Sequence, residues 1–285
     1  DLILSYNEYT TLKDLENADF NFDYYISGSD QIWNVLAYDF SYAYFLPFVK
    51  SGKRIAYAPS IGPHLNIDKC GNIDKVYELL SKYDAISARE VKGSRCIENI
   101  INKHVPTVLD PTLLLNSKKY DKLIGDKTLI KGEYVFIYSP WSNEKVYEMA
   151  YALGKKYKMK VVISQGMKTK EEMFKWGRKF KIYVAVGPKE FLNLCKNASI
   201  ICSDSFHAVA FSILFKKCFF VLDGMRDNRI SNLLQITNLQ DRSFLLSDDY
   251  LSAPLYIDYK NAMSNLDLER RKSRDWLMEK MDICK

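Results

Sequence analysis

The sequence predicts an α/β fold with parallel β-sheets covered by helices on both faces, arranged as two domains in series. Apolar, β-rich segments alternate with segments of helical periodicity along most of the chain. The strand segments are continuously apolar, as in CFFVL at 218–222, which is typical of strands that are buried on both faces. The chain has 285 residues, 47% of them hydrophobic, which is enough for two such cores.

The first predicted domain covers residues 1–125. Its strands are predicted at 22–28, 53–62, 85–90 and 107–115, and its clearest helix at 72–83. Val76, Leu79, Leu80 and Tyr83 recur on one face of that helix. Asp110 and Pro111 end the last strand, and the loop at 125–132, rich in Lys and Gly, marks the domain boundary.

The second predicted domain covers residues 126–260 and repeats the strand–helix alternation. Its strands are predicted at 134–139, 160–164, 182–186, 199–203 and 218–222, with helices at 143–157, 170–176, 187–198 and after 203. The tail at 261–285 is predicted as an amphipathic helix, strongest over 266–281, that packs on the surface or crosses back to the first domain.

Charge and cysteine content restrict the classes of function. The 41 basic and 35 acidic residues give a net charge of +6, but no block of like charges indicates nucleic-acid binding. This balance suits anionic small molecules or an anionic membrane surface. Cys195, Cys202 and Cys218 lie in apolar segments and outside any metal-binding spacing, which favours reduced thiols and a cytoplasmic location.

Ligands of open parallel sheets bind beyond the carboxyl ends of the strands. The loops after the predicted strands are rich in Ser, Gly, Asp, Arg and His, groups that bind anions well. The nucleotide-binding patterns of the P-loop and of G-x-G-x-x-G are absent from the sequence. These loops therefore predict an anion site without a standard nucleotide motif.

The segment SDSFHAVAFSILF at 203–215 places four polar residues at the start of an apolar helix. Ser203, Asp204 or Ser205 can cap the helix, and one cap is sufficient. His207 falls in the first turn, where the helix macrodipole disfavours a positive imidazole. Two interpretations stay open: His207 is a general acid–base group beside a bound anion, or it is a core histidine bonded to a backbone carbonyl.

Other polar residues in these loops also have two interpretations. Arg89 either clamps an anion or pairs with a glutamate at the domain surface. Asp30 is a general base or a helix cap, and Trp33 stacks on a sugar ring or fills the core. Arg229 opens a helix and is placed to reach an anion.

Several segments together resemble the polysaccharide pyruvyl transferase family. They are 24–34, 53–62, 86–94, 108–115, 187–221 and 229–242, and they occur in the family's order and spacing. The resemblance implies a glycosyltransferase-B-like fold, in which two Rossmann-like domains face each other across a cleft. It also implies transfer of the pyruvyl group of phosphoenolpyruvate to two hydroxyls of a saccharide, forming a cyclic ketal.

The resemblance further implies a cellular role and a set of site residues. The role is in bacterial capsule, exopolysaccharide or cell-wall polymer synthesis. The acceptor is expected to be lipid- or nucleotide-linked and to be used at the inner face of the membrane. No metal or cofactor is expected. Catalytic roles fall to His207 as the acid, Asp30 as the base and Asp204 as the residue that orients His207. The expected donor-binding residues are Arg89, Ser203, Ser205, His207 and Arg229, and the acceptor-binding residues are Gly28, Ser29, Asp30, Gln31, Trp33 and Ser60.

Two departures from the family pattern leave alternatives open. The first βα unit of the amino-terminal domain is expected to be missing, and Ser205 stands where some relatives have Arg. A nucleotide-sugar glycosyltransferase of the same fold is one alternative. A relative that binds saccharide without catalysis is the other.

Overall fold

Two parallel β-sheets, each in its own unit, form the core of the computed structural model, which describes residues 8–62, 72–164, 168–183 and 186–283. The first unit comprises Asp1–Pro111 and Glu269–Lys285, and the second comprises Thr112–Leu268. The division at Pro111 lies before the predicted boundary at 125. The segment between the observed division at Pro111 and the predicted boundary at 125 belongs to the second unit. Asp121 in this segment pairs with Lys196 at 2.8 Å.

The first unit contains a three-stranded parallel sheet in the order β1-β2-β3 within the described residues. Its elements are α1 Leu12–Asn17, β1 Tyr24–Ser27, β2 Lys53–Ala56, α2 Ile73–Ser81, β3 Ala85–Ile86 and α3 Val91–Ile101. The strand predicted over 107–115 is reduced to one parallel bridge between Ala88 and Thr107. Pro111 then opens a 3-10 turn, because proline lacks the N–H group that a strand needs.

The second unit contains a parallel sheet in the order β6-β5-β4-β7-β8-β9 within the described residues. Its elements are α4 Ser117–Ile124, β4 Tyr134–Tyr138, α5 Glu144–Tyr157, β5 Lys160–Ile163, α6 Lys170–Trp176, β6 Phe180–Ile182, α7 Pro188–Asn197, β7 Ile200–Ser203, α8 Phe206–Leu214, β8 Cys218–Leu222, α9 Asn228–Thr237 and β9 Ser243–Phe244. Tyr138 pairs with Ser203, and Ser203 pairs with Val221. The carboxyl ends of β4, β7 and β8 are therefore neighbours.

The strand β6 lies earlier in the chain than the prediction of 182–186. Phe180 starts it and is buried, stacking on Trp176 with ring centroids 5.2 Å apart. Because of this aromatic contact, the strand begins at Phe180, two residues before the apolar segment that the sequence pattern predicted as the strand. Residues 184 and 185 of the predicted strand lie outside the described residues.

The last helix, α10 Lys260–Lys280, has its final part in the first unit. There the Leu109 N–H donates to Ser273 Oγ at 2.9 Å in a buried hydrogen bond. The rings of Tyr57 and Trp276 lie 6.2 Å apart. The carboxyl-terminal turns of α10 are thus part of the first unit's packing.

The cores and helices of the described residues agree with several sequence features. Cys195 and Cys202 are buried free thiols, and burial raises the pKa of each. In the part of the chain that is described, the helices are too short or too polar to cross a bilayer.

Candidate functional site

The carboxyl edge of the second unit's sheet brings together polar residues that lie far apart in sequence. Ser139 follows β4 and Asp204 follows β7, and the pairing of these strands places the two residues side by side. Asp204 Oδ2 accepts hydrogen bonds from Ser139 Oγ at 3.2 Å and from Asn143 Nδ2 at 3.1 Å. The neighbouring strand ends therefore build a half-buried carboxyl site around Asp204.

The second oxygen of Asp204 is placed differently from the first. Asp204 Oδ1 is buried and has no hydrogen-bond partner among the described residues. Burial raises the pKa of Asp204, against the lowering effect of the Asn143 and Ser139 hydrogen bonds, and the nearby Asp227 raises it further. Asp204 is therefore suited to hold and release a proton at this edge of the sheet.

Asp227 lies at the same edge and has the opposite electrostatic setting. It caps α9 by accepting from the backbone N–H groups of Arg229 and Ile230. Its carboxylate also accepts from Arg229 Nε at 3.0 Å and Nη2 at 2.5 Å. Burial opposes its ionisation, but the hydrogen bonds and charge of Arg229 outweigh burial and lower the pKa of Asp227. Asp227 is therefore a fixed anion.

The start of α8 completes this edge and carries His207. Ser205 is the N-cap, but its hydroxyl accepts no hydrogen bond from the first turn. The neighbouring helices differ, because Asn143 caps α5 and Asp227 caps α9 through their side chains. His207 is the second residue of α8, half-buried, with its ring perpendicular to Phe206 at 5.4 Å. A helix start of this kind favours a bound anion.

The carboxyl edge of the first unit's sheet is built around a buried cation. Arg89 is 3% exposed and donates from Nη1 to Asp110 Oδ2 at 2.9 Å and from Nη2 to Asp30 Oδ1 at 3.2 Å. Glu90 Oε2 lies 3.8 Å from Arg89 Nε. Burial opposes the charge of Arg89, but Asp110, Glu90 and Asp30 outweigh it and raise its pKa.

The turn after β1 joins the Arg89 cluster. Ser29 Oγ lies 2.7 Å from the Ala58 carbonyl oxygen and 3.1 Å from Asp110 Oδ2, in position to donate to either. Gly28 has a φ of +116°, and an added Cβ there would lie 2.0 Å from the Tyr57 carbonyl oxygen. Only glycine fits this close approach. The turn therefore holds Asp30, whose side chain stays 57% exposed, against the buried guanidinium.

The family model for polysaccharide pyruvyl transferase matches residues 2–224, well over half of the chain. The chain belongs to the polysaccharide pyruvyl transferase family. The matched range includes the turn after β1, Arg89, Asp204 and His207, whereas Asp227 and Arg229 lie beyond its end. No curated protein is significantly similar to the chain in sequence.

Solved structures show the fold of this pyruvyl transferase family member. UDP-GlcNAc 2-epimerase from Methanocaldococcus jannaschii is similar with a TM-score of 0.54 and 15% identity, over 79% of this chain and 70% of that chain. The same enzyme with UDP-GlcNAc and UDP gives 0.50 and 14%, over 79% and 75%. A kitacinnamycin glycotransferase gives 0.45 and 14%, over 89% and 72%. The two epimerase structures confirm the predicted α/β, glycosyltransferase-B-like fold class.

Several residues predicted to bind the donor have structural partners in this family member. The expected anion clamp, Arg89, is buried and surrounded by carboxylates, so it is not an open cation. Ser203 is 2% exposed; its hydroxyl donates to the Tyr138 carbonyl and accepts from the Ser205 N–H. Arg229 binds Asp227 through two nitrogens. Asp204, which was predicted to orient His207, accepts hydrogen bonds from Ser139 and Asn143 within the described residues.

Two residues predicted to bind the acceptor lie in the core of the first unit. Trp33 is 0% exposed and stacks on Phe45 with ring centroids 5.0 Å apart, so it cannot stack on a sugar in this arrangement. Ser60 is also 0% exposed and donates to Glu90 Oε1 at 2.8 Å. Gln31 is half-buried and accepts from Asn34.

Sequence reasoning missed Ser139, Asn143 and Asp227 as site residues. Ser139 and Asn143 lie in the loop after β4, which in the sequence is one of several loops rich in Ser. Their importance depends on the adjacency of β4 and β7, which the order of strands in the chain does not give. Among the described residues, no group of three His, Cys, Asp or Glu side chains is arranged to hold a metal ion.

Proposed function

We propose that this chain transfers the pyruvyl group of phosphoenolpyruvate to two hydroxyls of a saccharide, forming a cyclic ketal and releasing phosphate. The proposal includes a role in bacterial capsule, exopolysaccharide or cell-wall polymer assembly, on a lipid- or nucleotide-linked acceptor. Membership of the polysaccharide pyruvyl transferase family supports a saccharide acceptor. The observation that carries the chemistry is the start of α8, where His207 lies in the first turn and the hydroxyl of the N-cap, Ser205, accepts no hydrogen bond from that turn.

The donor carries a phosphate and a carboxylate, and the second unit offers groups that match both charges. The first turn of α8 presents the positive end of the helix dipole. Arg229 uses Nε and Nη2 for Asp227, while its Nη1 makes no hydrogen bond within the described residues. We assign these groups, with the Ser205 hydroxyl, to the donor, and Arg89 is left out because of its buried carboxylate partners.

The proton balance of the reaction defines what His207 and Asp204 have to do. The two acceptor hydroxyls lose two protons as two C–O bonds form to the central carbon of the donor. One proton enters the donor's methylene carbon, which becomes a methyl group, and the other leaves with phosphate as the C–O bond to phosphate breaks. We propose His207 as the acid for one of these transfers. Asp204, with its raised pKa, is the second proton carrier at this edge.

Asp30 is proposed as the base for an acceptor hydroxyl because its carboxylate is exposed at the end of β1. The turn formed by Gly28 and Ser29 fixes its position. Under this proposal the reaction needs no cofactor besides phosphoenolpyruvate. A lipid-linked acceptor would bring the enzyme to the membrane surface.

The experiment supplies phosphoenolpyruvate with lipid-linked and nucleotide-linked saccharides and measures both phosphate release and acceptor mass. Phosphate release with an acceptor mass increase equal to pyruvic acid minus water supports the proposal. Turnover of UDP-sugars without consumption of phosphoenolpyruvate would replace it by a nucleotide-sugar transferase. A similar structure, an epimerase, contains UDP-GlcNAc and UDP, and this observation keeps the alternative of a nucleotide-sugar donor. Saccharide binding without turnover of either donor would indicate a non-catalytic relative.

His207→Ala tests the assignment of the acid. Loss of a positioned acid–base group lowers turnover by roughly two to four powers of ten, and the thermal unfolding midpoint should change little because the side chain is half-buried. His104→Ala is the matched control, because the His104 side chain is 83% exposed and lies away from both strand edges. Wild-type phosphate release by His207→Ala would remove His207 from the mechanism.

A further inference from the structure

A cavity of about 370 Å³ in the second unit is surrounded by cations. It lies at the amino ends of β5 and β6 and beside the last turn of α5, at the opposite edge of the sheet from Asp204. We call this space the basic cavity. Its cationic lining residues are Lys155, Lys158, Lys160, Arg178, Lys179 and Lys181. The rest of its lining is uncharged, so six positive charges face one space without a carboxylate.

The basic cavity differs from the rest of this unit's surface in its ion pairing. Lys175 pairs with Glu144 at 2.5 Å and Lys196 pairs with Asp121 at 2.8 Å. None of the six cations of the basic cavity forms an ion pair with a carboxylate among the described residues, although all six are exposed. Within the described part of the chain, Lys160 donates only to the Lys131 carbonyl oxygen. The mutual repulsion of these charges is therefore left uncompensated.

Helix electrostatics account for only part of this arrangement. Lys155 lies in the last turn of α5, where a cation is favoured by the helix dipole. Lys158 is the C-cap residue of the same helix and shares this benefit, whereas Arg178 and Lys181 lie in other segments and gain nothing comparable from α5. Helix electrostatics therefore leave Arg178 and Lys181 unexplained, and a bound anion would supply the missing stabilisation.

Aromatic rings hold two of the cations in place without neutralising them. Lys155 Nζ lies 5.2 Å and Lys179 Nζ 5.0 Å from the centroid of the Tyr151 ring. Lys179 Nζ is also 4.6 Å from the Trp176 ring. Cation–π contacts orient an ammonium group but leave its full charge for a ligand. The basic cavity is thus organised before an anion arrives.

We propose that the basic cavity binds an anionic phosphate group, supplied by an anionic lipid headgroup or by a soluble phosphate compound. A phosphate concentrates its negative charge in a volume that fits the cavity, and Lys and Arg are its usual partners. The proposal is independent of the transferase activity, because it concerns the other edge of the sheet and uses none of the donor-binding residues.

The test compares two triple variants that each remove three positive charges. Lys158→Gln/Arg178→Gln/Lys181→Gln changes the basic cavity, at positions whose side chains make no hydrogen bond among the described residues. Lys118→Gln/Lys119→Gln/Lys122→Gln is the matched control on α4, whose three lysines are also exposed. Calorimetric titration with inorganic tripolyphosphate measures soluble phosphate binding. Co-sedimentation with vesicles that contain phosphatidylglycerol, against vesicles of phosphatidylcholine alone, measures lipid binding.

We expect the wild-type protein to bind one of these probes, with an affinity that falls as salt rises. The basic-cavity variant should bind roughly tenfold more weakly or worse, because each cation near an anionic surface contributes substantially. The control variant should stay within about twofold of wild type, as expected for charges remote from the site. Vesicle binding without tripolyphosphate binding identifies a lipid source, and the reverse identifies a soluble one.

Two results would overturn the proposal. One is wild-type protein that binds neither tripolyphosphate nor phosphatidylglycerol vesicles. The other is equal weakening by both triple variants, which would mean that binding follows net charge only. Protection of Lys158 and Lys181 from acetylation by the bound probe, read by mass spectrometry on the wild-type protein, provides a measurement that does not depend on how the variants fold.

Discussion

The carboxyl edges of the two sheets use buried charge in opposite ways. In the first unit, Arg89 is enclosed by Asp110, Asp30 and Glu90. Its charge therefore stabilises the packing of three loops against one another. In the second unit, Asp204 is half-buried with neutral hydrogen-bond donors and a raised pKa. The comparison teaches that a buried charged group at a sheet edge is balanced by opposite charges in one unit and lies beside neutral donors, with a raised pKa, in the other.

The largest expected effect tests the structural side of this comparison. Arg89→Met removes the cation that the buried carboxylates of Asp110 and Glu90 surround. Breaking a buried ion pair in this way costs about 3–5 kcal/mol in the free energy of unfolding. Chemical denaturation measures it, with Arg226→Met as the control, because that side chain is 78% exposed and pairs with Asp223 at the surface.

The Arg226→Met control should change the free energy of unfolding by less than about 0.5 kcal/mol. An Arg89→Met protein as stable as wild type, with weakened phosphoenolpyruvate affinity, would reverse our interpretation. Arg89 would then be the anion clamp that its sequence context suggested. The comparison between the two edges would lose its basis.

A second, smaller effect concerns the pH dependence of Asp204 and Asp227, which should have opposite signs. The folded pKa of Asp204 is raised, so its contribution to stability is complete below the unfolded pKa of about 3.9 and is lost as pH rises through the folded pKa. Asp204→Asn should therefore gain stability relative to wild type as pH rises.

Asp227 should behave in the reverse way, because its folded pKa is lowered. Its contribution is present above the unfolded pKa and is lost as pH falls through the folded pKa. Asp227→Asn should cost about 1.5–3 kcal/mol at neutral pH, typical of a hydrogen bond to a charged group, and less in acid. Urea denaturation of both variants across acidic and neutral pH measures the two slopes; slopes of the same sign would contradict the assignment.

The smallest expected effect separates two serines of one loop. Ser139 donates to Asp204 and accepts from the Asn143 N–H at 3.0 Å, so Ser139→Ala should cost about 0.5–1.5 kcal/mol. Ser142 Oγ is buried and has no hydrogen-bond partner among the described residues. Ser142→Ala should be neutral or slightly stabilising. Thermal unfolding compares the two, and equal losses would show that Asp204 does not depend on Ser139.

The sequence predicted the elements of the second unit well because its strands are continuously apolar and buried. Ile200, Ile201 and Cys202 illustrate this, since all three have almost no exposure. The strand at 107–115 was overestimated, because its apolar residues pack in the core without pairing as a ladder. Val108 and Leu109 are buried there beside one isolated bridge.

In the candidate site, the sequence predicted features that lie within one short segment, but not contacts between segments that are distant in the chain. The start of α8 and His207 followed from polar residues at the head of an apolar helix. The partners of Arg89 and Asp204 did not, because Asp110 and Ser139 come from strands or turns whose neighbours are decided by sheet order. Trp33 had two interpretations for the same reason. Its stacking on Phe45 identifies it as a core residue and not as a residue that stacks on a sugar ring.

The division of the chain has a consequence for synthesis on the ribosome. Leu109 and Tyr57 complete their packing with Ser273 and Trp276, which are translated more than a hundred and fifty residues after them. The second unit, by contrast, is a continuous stretch, Thr112–Leu268. The nascent amino-terminal unit therefore stays incompletely packed until α10 has been translated, whereas all residues of the second unit have been made before that point.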